Sequence, residues 1–265
     1  MIDKNTRHII FILYITGFLS FLSCNSSQLK NGNLKPNNVI YFSQDLLYAV
    51  KSENPYNFHL DTLEQLDLDY LNNQLQTREQ KLAFWINLYN ALVQIKLEKD
   101  TSSFNDKGLF FGKNDISIGG NKVSLDNIEH GILRGSQFKY GLGYIKKIWS
   151  NSFEQIFQLS TIDYRIHFTM NCGATACPAI AFYKPENIDE QLQLAESTFM
   201  QENSIYYSKE NTVEVSQILQ WFKGDFGGEK GIIKILKNNK IIPQNKAPKI
   251  IYKEYDWNLQ SKKYE

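Results

Sequence analysis

The sequence has few cysteines, histidines and prolines and no excess of either charge. Its 265 residues include three Cys, four His and six Pro, and 29 Lys and Arg stand against 28 Asp and Glu. A net charge of +1 creates no basic field, so no nucleic-acid partner is expected. Two of the cysteines, Cys172 and Cys177, form a C-x4-C pair, and without a second pair this spacing does not favour a structural zinc site.

Motifs of several familiar enzyme classes are also absent. The chain contains no glycine-rich phosphate loop, no G-x-S-x-G, no H-E-x-x-H and no C-x-x-C. Nucleotide binding, serine-hydrolase chemistry and zinc-protease chemistry therefore lack their usual signatures. No cofactor and no bound metal are expected.

The longest apolar run is too short to cross a bilayer comfortably. Ile9–Ser23 has 15 residues, whereas a membrane-spanning helix needs about 20. Basic residues precede the run and Cys24 follows it, which is typical of a secretory signal, and Phe21–Cys24 resembles a bacterial lipobox. We expect a lipoprotein signal peptide over 1–23, a flexible tether over 24–38 and one globular domain over 39–265.

The expected location is the cell envelope, with the membrane as a partner through a lipid on Cys24. Asn25, rather than an acidic residue, follows this cysteine, and this favours the periplasmic side of the outer membrane. Two alternatives stay open: an uncleaved anchor, or an ordinary signal in which Cys24 is incidental. Export also makes a Cys172–Cys177 disulfide chemically possible.

Hydrophobic periodicity predicts an α+β domain with a buried central helix on a small mixed or antiparallel sheet. Thr77–Lys99 is apolar on nearly every side and begins with a Thr77/Gln80 capping box, as a buried helix does. Further helices are predicted over 39–52, 60–75, 145–157, 188–201 and 216–226, with Ile148 and Trp149 facing inward. Strands are predicted over 116–123, 213–215 and 250–252.

Amide side chains form a stripe along one face of the central helix. Asn87, Asn90 and Gln94 follow one another at helical spacing. Buried amides need hydrogen-bond partners, so the simpler interpretation is that they tie down neighbouring backbone. The functional interpretation is that the stripe lines a cleft, where Asn87 holds an oxyanion and Asn90 binds a ligand.

A second helix is predicted over Ser124–Gly135 and carries titratable side chains. Asp126, His130 and Arg134 are four residues apart and share a face, with Glu129 beside them. A carboxylate one turn from an imidazole orients the ring and makes it more basic, as a catalytic histidine requires. The alternative is a surface ladder of charges that contributes little.

The third functional segment is Arg165–Pro178. Polar and apolar residues alternate from Arg165 to Met170, which predicts a half-buried strand with His167 on its polar face. Cys172-Gly173 would end that strand, and Cys177-Pro178 would begin a helix. Such an arrangement suits either a reactive thiol or a disulfide, and the sequence alone leaves both open.

These segments resemble, in order, the blocks of the family known as domain of unknown function 547, DUF547. The blocks are AFWINLYNALV (83–93), SLDNIEHGILR (124–134), RIHFTMNCGATACP (165–178), SQILQWFKGDF (216–226) and YDWNLQ (255–260). The resemblance covers about 46–260 and implies a shared fold and a polar set at Glu129, His130 and Cys172, but no reaction. A looser analogy with papain-like and transglutaminase-like folds is weakened because the central helix carries no cysteine.

Two functions fit these residues. The first is a thiol-dependent hydrolase or transferase that acts on amide or ester bonds of an envelope polymer. In this hypothesis Cys172 is the nucleophile, His130 the base, and Glu129 or Asp126 orients the base. Asn87 would hold the oxyanion.

The second function is a non-catalytic lipoprotein that binds a small molecule or a partner. Here Cys172 and Cys177 form a structural disulfide, and His167, Arg165 and Asn90 are binding residues. A weaker third interpretation is a metal site built from His130, His167 and Glu129.

In the enzyme hypothesis, we expect Glu129, His130, His167 and Cys172 to converge on one cleft.

Overall fold

The computed structural model describes residues 35–265. The predicted signal peptide, Cys24 and all but the last four residues of the tether lie outside this range. The described helices are α1 to α9: Val39–Lys51, Asn57–Glu64, Leu68–Gln74, Arg78–Lys99, Lys107–Gly112, Ser152–Phe157, Ile188–Asn203, Ile218–Trp221 and Gly228–Asn238. Short 3-10 helices occupy Thr101–Asn105, Tyr164–Phe168 and Pro185–Asn187, and Asn127–Leu133 is π-helical.

Helix α4 forms the centre of the fold, as its composition predicts. It is buried almost from end to end, including Trp85 and Tyr89, and α1 packs along it. The capping box is present: Thr77 Oγ1 accepts from Gln80 N, and Gln80 Oε1 accepts from Thr77 N at 2.9 Å. Helix α4 packs mainly against α1, and also against the π-helical segment and the 3-10 helices Thr101–Asn105 and Pro185–Asn187, rather than against a sheet.

Two small sheets complete the α+β domain and confirm the predicted fold class. Strands β1 (Ile116–Ile118) and β2 (Asn121–Val123) form an antiparallel hairpin. Its turn is at Gly119-Gly120, both with positive φ, and a Cβ on Gly119 would lie 2.6 Å from the Leu66 carbonyl oxygen. The other sheet has the order β3-β4-β5 (Ile205–Tyr207, Thr212–Ser216, Lys249–Lys253) and is mixed, because β3 pairs antiparallel and β5 parallel with β4.

Within residues 35–265, the core has two hydrophobic clusters. The larger surrounds α4 and includes residues from α1 and from the π-helical segment. The smaller lies under the mixed sheet and joins it to α7, α8 and α9. Residues 164–172 run between these clusters, with Ile166 in the larger and Phe168 in the smaller.

The predicted strand over 165–170 is wrong, because this segment is the 3-10 helix Tyr164–Phe168. Asp163 caps it by accepting from Arg165 N at 3.0 Å. Ile166, His167 and Phe168 are all buried, so the alternation of polarity does not correspond to an alternation of burial. No helix begins at Cys177-Pro178 either; the chain there forms turns and loops.

The helix predicted over 145–157 is only Ser152–Phe157, and its start is set by Asn151, whose side chain accepts from Glu154 N. Ile148 and Trp149 are each 86% exposed rather than inward. The residues before them are held in a loop by a Gln137–Lys146 bridge. The helix expected over 216–226 likewise shortens to Ile218–Trp221.

The remaining predicted elements are confirmed within a few residues: α1, the pair α2 and α3, α7, β4 and β5. Across residues 35–265, no helix combines the length and apolar character that crossing a bilayer demands.

Candidate functional site

A cavity of about 420 Å³ lies where α4, α5, the π-helical segment and α8 meet the chain after the 3-10 helix Tyr164–Phe168. Its wall combines aromatic rings with a small set of titratable groups, as ligand sites commonly do. The lining residues are Tyr89, Lys107, Gly108, Phe111, Asp126, Glu129, His130, Lys139, Tyr140, Leu142, His167, Met170, Cys172, Ile218, Trp221, Phe222, Tyr255 and Trp257.

Four residues expected to converge do so. Glu129, His130, His167 and Cys172 all line this cavity, although two of them lie on the π-helical segment and two about 40 residues later. The fold therefore confirms the convergence. Their individual roles stay predictions.

His130 is held as a neutral imidazole. The Arg134 guanidinium donates to its Nδ1 at 3.0 Å, and since guanidinium has no acceptor, Nδ1 is unprotonated and the ring proton lies on Nε2. Burial lowers the pKa of His130 well below its ordinary value, and Arg134 and Lys139 lower it further. The sequence had suggested the opposite, a ring made more basic by a carboxylate.

The Nε2–H of His130 is a hydrogen-bond donor. Asp126 Oδ1 lies 3.6 Å from His130 Nε2, which is beyond hydrogen-bond distance, and Glu129 Oε1 lies 3.7 Å from Nδ1. The Nε2–H is thus available to a molecule in the cavity.

A buried ionic network fixes this arrangement. Arg134 and Asp225 are both fully buried, and Asp225 Oδ2 accepts from Arg134 Nε at 2.7 Å and from His167 Nε2 at 2.8 Å. Burial alone would raise the pKa of Asp225, but these two hydrogen bonds lower it. Burial lowers the pKa of His167, which donates as a neutral ring. The alternative of a surface charge ladder at 126, 130 and 134 is therefore wrong.

His167 is also fixed by stacking. Its ring lies over Phe222 with centroids 4.0 Å apart and planes 11° apart. Held on one side by Asp225 and on its face by Phe222, the ring is a rigid part of the wall.

The Glu129 carboxyl has a pKa raised above its ordinary value. Its side chain is 15% exposed, and Tyr89 Oη donates to its Oε2 at 3.1 Å. Burial raises the pKa of Glu129 from 4.5 to about 7; Arg134 opposes the rise and Asp126 adds to it. Lys139 Nζ holds Asp126 at 2.8 and 2.9 Å. Two carboxyl groups in one cavity thus sit in different electrostatic surroundings.

Part of the cavity wall is aromatic. Trp221 stacks with Trp257 at a centroid distance of 5.7 Å, and Tyr255 contacts both rings. Lys107 Nζ lies 5.3 Å from the centre of the Trp257 ring. Burial lowers the pKa of Lys107. This wall suits an organic ligand with an apolar face, and Lys107 supplies positive charge beside it.

Cys172 and Cys177 form a disulfide. Cys172 is half-buried and reaches the cavity, whereas Cys177 is 1% exposed. Of the two arrangements that the sequence left open, the structure has the bonded one. In this form Cys172 has no thiolate with which to attack a substrate.

Three predicted site residues lie outside the cavity. Asn87 and Asn90 are fully buried and serve the backbone, as the simpler interpretation proposed. Asn87 exchanges two 2.9 Å hydrogen bonds with the Tyr183 backbone, so the oxyanion role is wrong. Asn90 donates to Thr169 O and accepts from Asn171 N, and because it is fully buried and does not line the cavity, it is not open to a ligand there.

Arg165 is likewise committed elsewhere. It pairs with Asp163 and Asp189 at 2.6 Å on a separate, shallower surface. Its binding role at the cavity is therefore wrong.

The metal interpretation is also unsupported, since among residues 35–265 no three His, Cys, Asp or Glu side chains are arranged to hold an ion.

Sequence reasoning missed several residues of the site, above all Lys139 and Tyr255 in the cavity wall and Asp225 in the buried ionic network. Tyr89, Trp221 and Trp257 belong to the blocks that carry the family resemblance, so polar or aromatic residues in those blocks were the available signal. Asp225 stands in the same block as Trp221. Lys139 lies in none of them and had no sequence signal.

The comparisons with known proteins concern the middle of the chain. Residues 73–200 match the family model described as "Protein of unknown function, DUF547". This stretch contains Glu129, His130, His167 and Cys172, whereas Asp225 and the two tryptophans of the cavity follow it. No curated protein and no solved structure gives a significant match.

Proposed function

Because this chain belongs to the DUF547 family, whose activity its description leaves unknown, we propose a function from the cavity itself: a hydrolase or transferase that uses Glu129 for proton transfer. The observation that carries the proposal is the Glu129 carboxyl, which faces the cavity with a pKa of about 7. A group with this pKa both accepts and donates a proton near neutral pH, which is what a general base and acid must do.

The substrate class is an amide or ester of an organic molecule that fits the aromatic wall. The Glu129 carboxylate accepts a proton from water as the water oxygen attacks the carbonyl carbon. The neutral His130 donates its Nε2–H to the carbonyl oxygen, where negative charge develops. Glu129 then returns the proton to the leaving oxygen or nitrogen, so the carboxylate is regenerated.

A thiol-dependent enzyme is the second candidate, because Cys172 lines the same cavity. It requires the Cys172–Cys177 bond to be reduced first. The third is a non-catalytic binding protein, which the intact disulfide and the buried Arg134–Asp225 ion pair also suit. These candidates make different demands on Glu129 and on the cysteines.

The test is a panel of p-nitrophenyl esters and p-nitroanilides assayed with the wild type, Glu129→Gln and the double variant Cys172→Ser/Cys177→Ser. We expect hydrolysis by the wild type without reductant, retention of activity in the double variant and a loss of at least about 100-fold in Glu129→Gln. The rate should rise with pH around 7 as Glu129 ionises.

Other outcomes point elsewhere. Activity that appears only with reductant and disappears in the cysteine variant supports the thiol enzyme. An inactive wild type whose tryptophan fluorescence responds to compounds of the panel supports the binding protein.

The surroundings of this enzyme are part of the proposal. We place it in the cell envelope, attached to the membrane through a lipid on Cys24, with a small molecule or an envelope polymer as its substrate and no nucleic acid partner. The apolar run Ile9–Ser23 and the lipobox-like residues before Cys24 support this.

A further inference from the structure

We propose that the Cys172–Cys177 disulfide is a redox-active group that exchanges with small organic thiols entering the cavity. This activity goes beyond the hydrolytic function and does not depend on it. Four observations support it. Only one of the two sulfurs is accessible from the cavity, backbone N–H groups donate to the other sulfur, one tyrosine hydroxyl lies close to both sulfurs, and hydrogen bonds other than the disulfide fix the loop.

The two sulfurs differ in access. Cys172 lines the cavity and is half-buried, while Cys177 is 1% exposed and does not line it. Thiol–disulfide exchange requires an incoming thiolate to reach one sulfur while the other leaves. A thiol in the cavity therefore attacks Cys172.

The sulfur that leaves is well placed to carry negative charge. Cys177 Sγ accepts the Cys172 backbone N–H at 3.0 Å and the Ala174 backbone N–H at 3.4 Å. Hydrogen bonds to the charged form lower the pKa of a thiol, and a thiol of lower pKa is the better leaving group.

Tyr255 serves both sulfurs. Its Oη lies 3.2 Å from Cys177 Sγ and 3.3 Å from Cys172 Sγ. The hydroxyl can donate to whichever sulfur bears the charge at each step. The aromatic contacts of Tyr255 with Trp221 and Trp257 keep it in that position.

The loop does not depend on the disulfide for its shape. The Asn171 side chain accepts from Gly173 N at 2.9 Å and donates to Pro178 O at 2.7 Å. Thr175 N donates to Asn258 O, and Gln260 N donates to Gly173 O, each at 2.8 Å. These bonds stay in place when the sulfurs separate, so reduction leaves the cavity wall intact.

The chemistry balances without any further reactant. A thiolate forms a bond to Cys172 Sγ, the Cys172–Cys177 bond breaks, and its electron pair leaves on Cys177 Sγ. A second thiolate attacks the ligand's sulfur in the mixed disulfide and expels Cys172 as a thiolate. Two thiols are thus oxidised to one disulfide, the protein gains two electrons, and the two protons of the consumed thiols end on Cys172 and Cys177.

The test uses the folded full chain with reduced glutathione as the probe, followed by acid quenching and peptide mapping by mass spectrometry. Mapping separates adducts at Cys24 from those in the cavity. We expect a mixed disulfide on Cys172 and none on Cys177, formed under native conditions. Tyr255→Phe, which keeps the ring, should slow reduction by about tenfold.

Matched variants repeat the comparison in the reduced state. In the folded protein, Cys177→Ser should react with a disulfide reagent such as dithionitrobenzoate at least tenfold faster at Cys172 than Cys172→Ser does at Cys177. If a variant does not fold, the glutathione experiment on the wild type decides. Reduction only after unfolding in urea, or an adduct on Cys177, overturns the proposal. Neither result bears on hydrolysis, since the hydrolytic site uses neither sulfur.

Discussion

Replacing Glu129 with Gln removes a carboxyl whose ionisation the folded protein resists. Gln has the shape of a protonated Glu and its Oε1 can still accept from Tyr89 Oη, which donates to Glu129 at 3.1 Å. The variant therefore resembles the wild type as it exists at low pH. The two proteins should differ only where Glu129 becomes ionised.

The sign of the pH dependence follows from the number of protons bound in the folded and unfolded states. In the folded protein Glu129 keeps its proton up to about pH 7, whereas in the unfolded chain it ionises near pH 4.5. Between these values the folded state binds more protons, so the free energy of unfolding of the wild type falls as pH rises. Raising the pKa from 4.5 to about 7 costs about 3 kcal/mol, at about 1.4 kcal/mol for each tenfold change in the protonation equilibrium.

The assay is urea denaturation of both proteins between pH 4 and 8. We expect equal stability near pH 4, and above pH 7 we expect Glu129→Gln to be the more stable protein by about 3 kcal/mol. Other titrating groups cancel in the difference. Glu202→Gln, at an exposed position of α7, is the control and should differ little from the wild type at any pH. A Glu129→Gln difference that stays constant from pH 4 to 8 would falsify the raised pKa and remove the main support for proton transfer by Glu129.

Three further predictions test other parts of the structure. Asn87→Leu leaves the buried Tyr183 N–H without a partner, while the Tyr183 C=O keeps Gln44 Nε2 at 2.7 Å. The variant should lower the free energy of unfolding by about 1–3 kcal/mol in urea denaturation, whereas Asn73→Leu, at an exposed position of α3, should change it little; equal effects contradict the backbone role. Arg134→Leu removes the guanidinium that pairs with the buried Asp225 carboxylate. It should lower the free energy of unfolding by about 3–5 kcal/mol in urea denaturation; a loss below about 1 kcal/mol shows that the pair is not buried. Cys24→Ala should move the protein from the membrane fraction to the soluble fraction or block its processing; fractionation and migration like the parent argue against lipidation.

Local structure followed from sequence wherever one short-range rule dominated. The Thr77/Gln80 capping box and the apolar run after it identified α4, because both features act within a few residues of the chain. The hairpin at Gly119-Gly120 followed for the same reason, since glycine is the residue that most readily takes positive φ.

Prediction failed where polarity and burial diverged. His167 is polar but fully buried, because Asp225 supplies its partner from 58 residues away. An alternating pattern that assumed polar residues face water therefore predicted a strand where a 3-10 helix exists. Trp149 shows the converse: a large apolar residue predicted to face inward is 86% exposed.

The candidate site divides in the same way. The sequence by itself determined which residue types were available, namely Glu129, His130, His167 and Cys172, and that they lie in segments of one family. It also determined the spacing that puts Arg134 one turn from His130.

Only the tertiary structure decided the protonation states and bonding partners of those residues. His130 is neutral because it is buried and accepts a hydrogen bond from Arg134, whereas the sequence predicted a ring made more basic by a carboxylate. Burial in the aromatic-walled cavity raises the pKa of Glu129 to about 7. Packing also assigned Asn87 to the backbone and joined Cys172 to Cys177. The physical reason is that protonation state and hydrogen-bond partner depend on desolvation and on charges from distant segments, which the packed chain alone brings together.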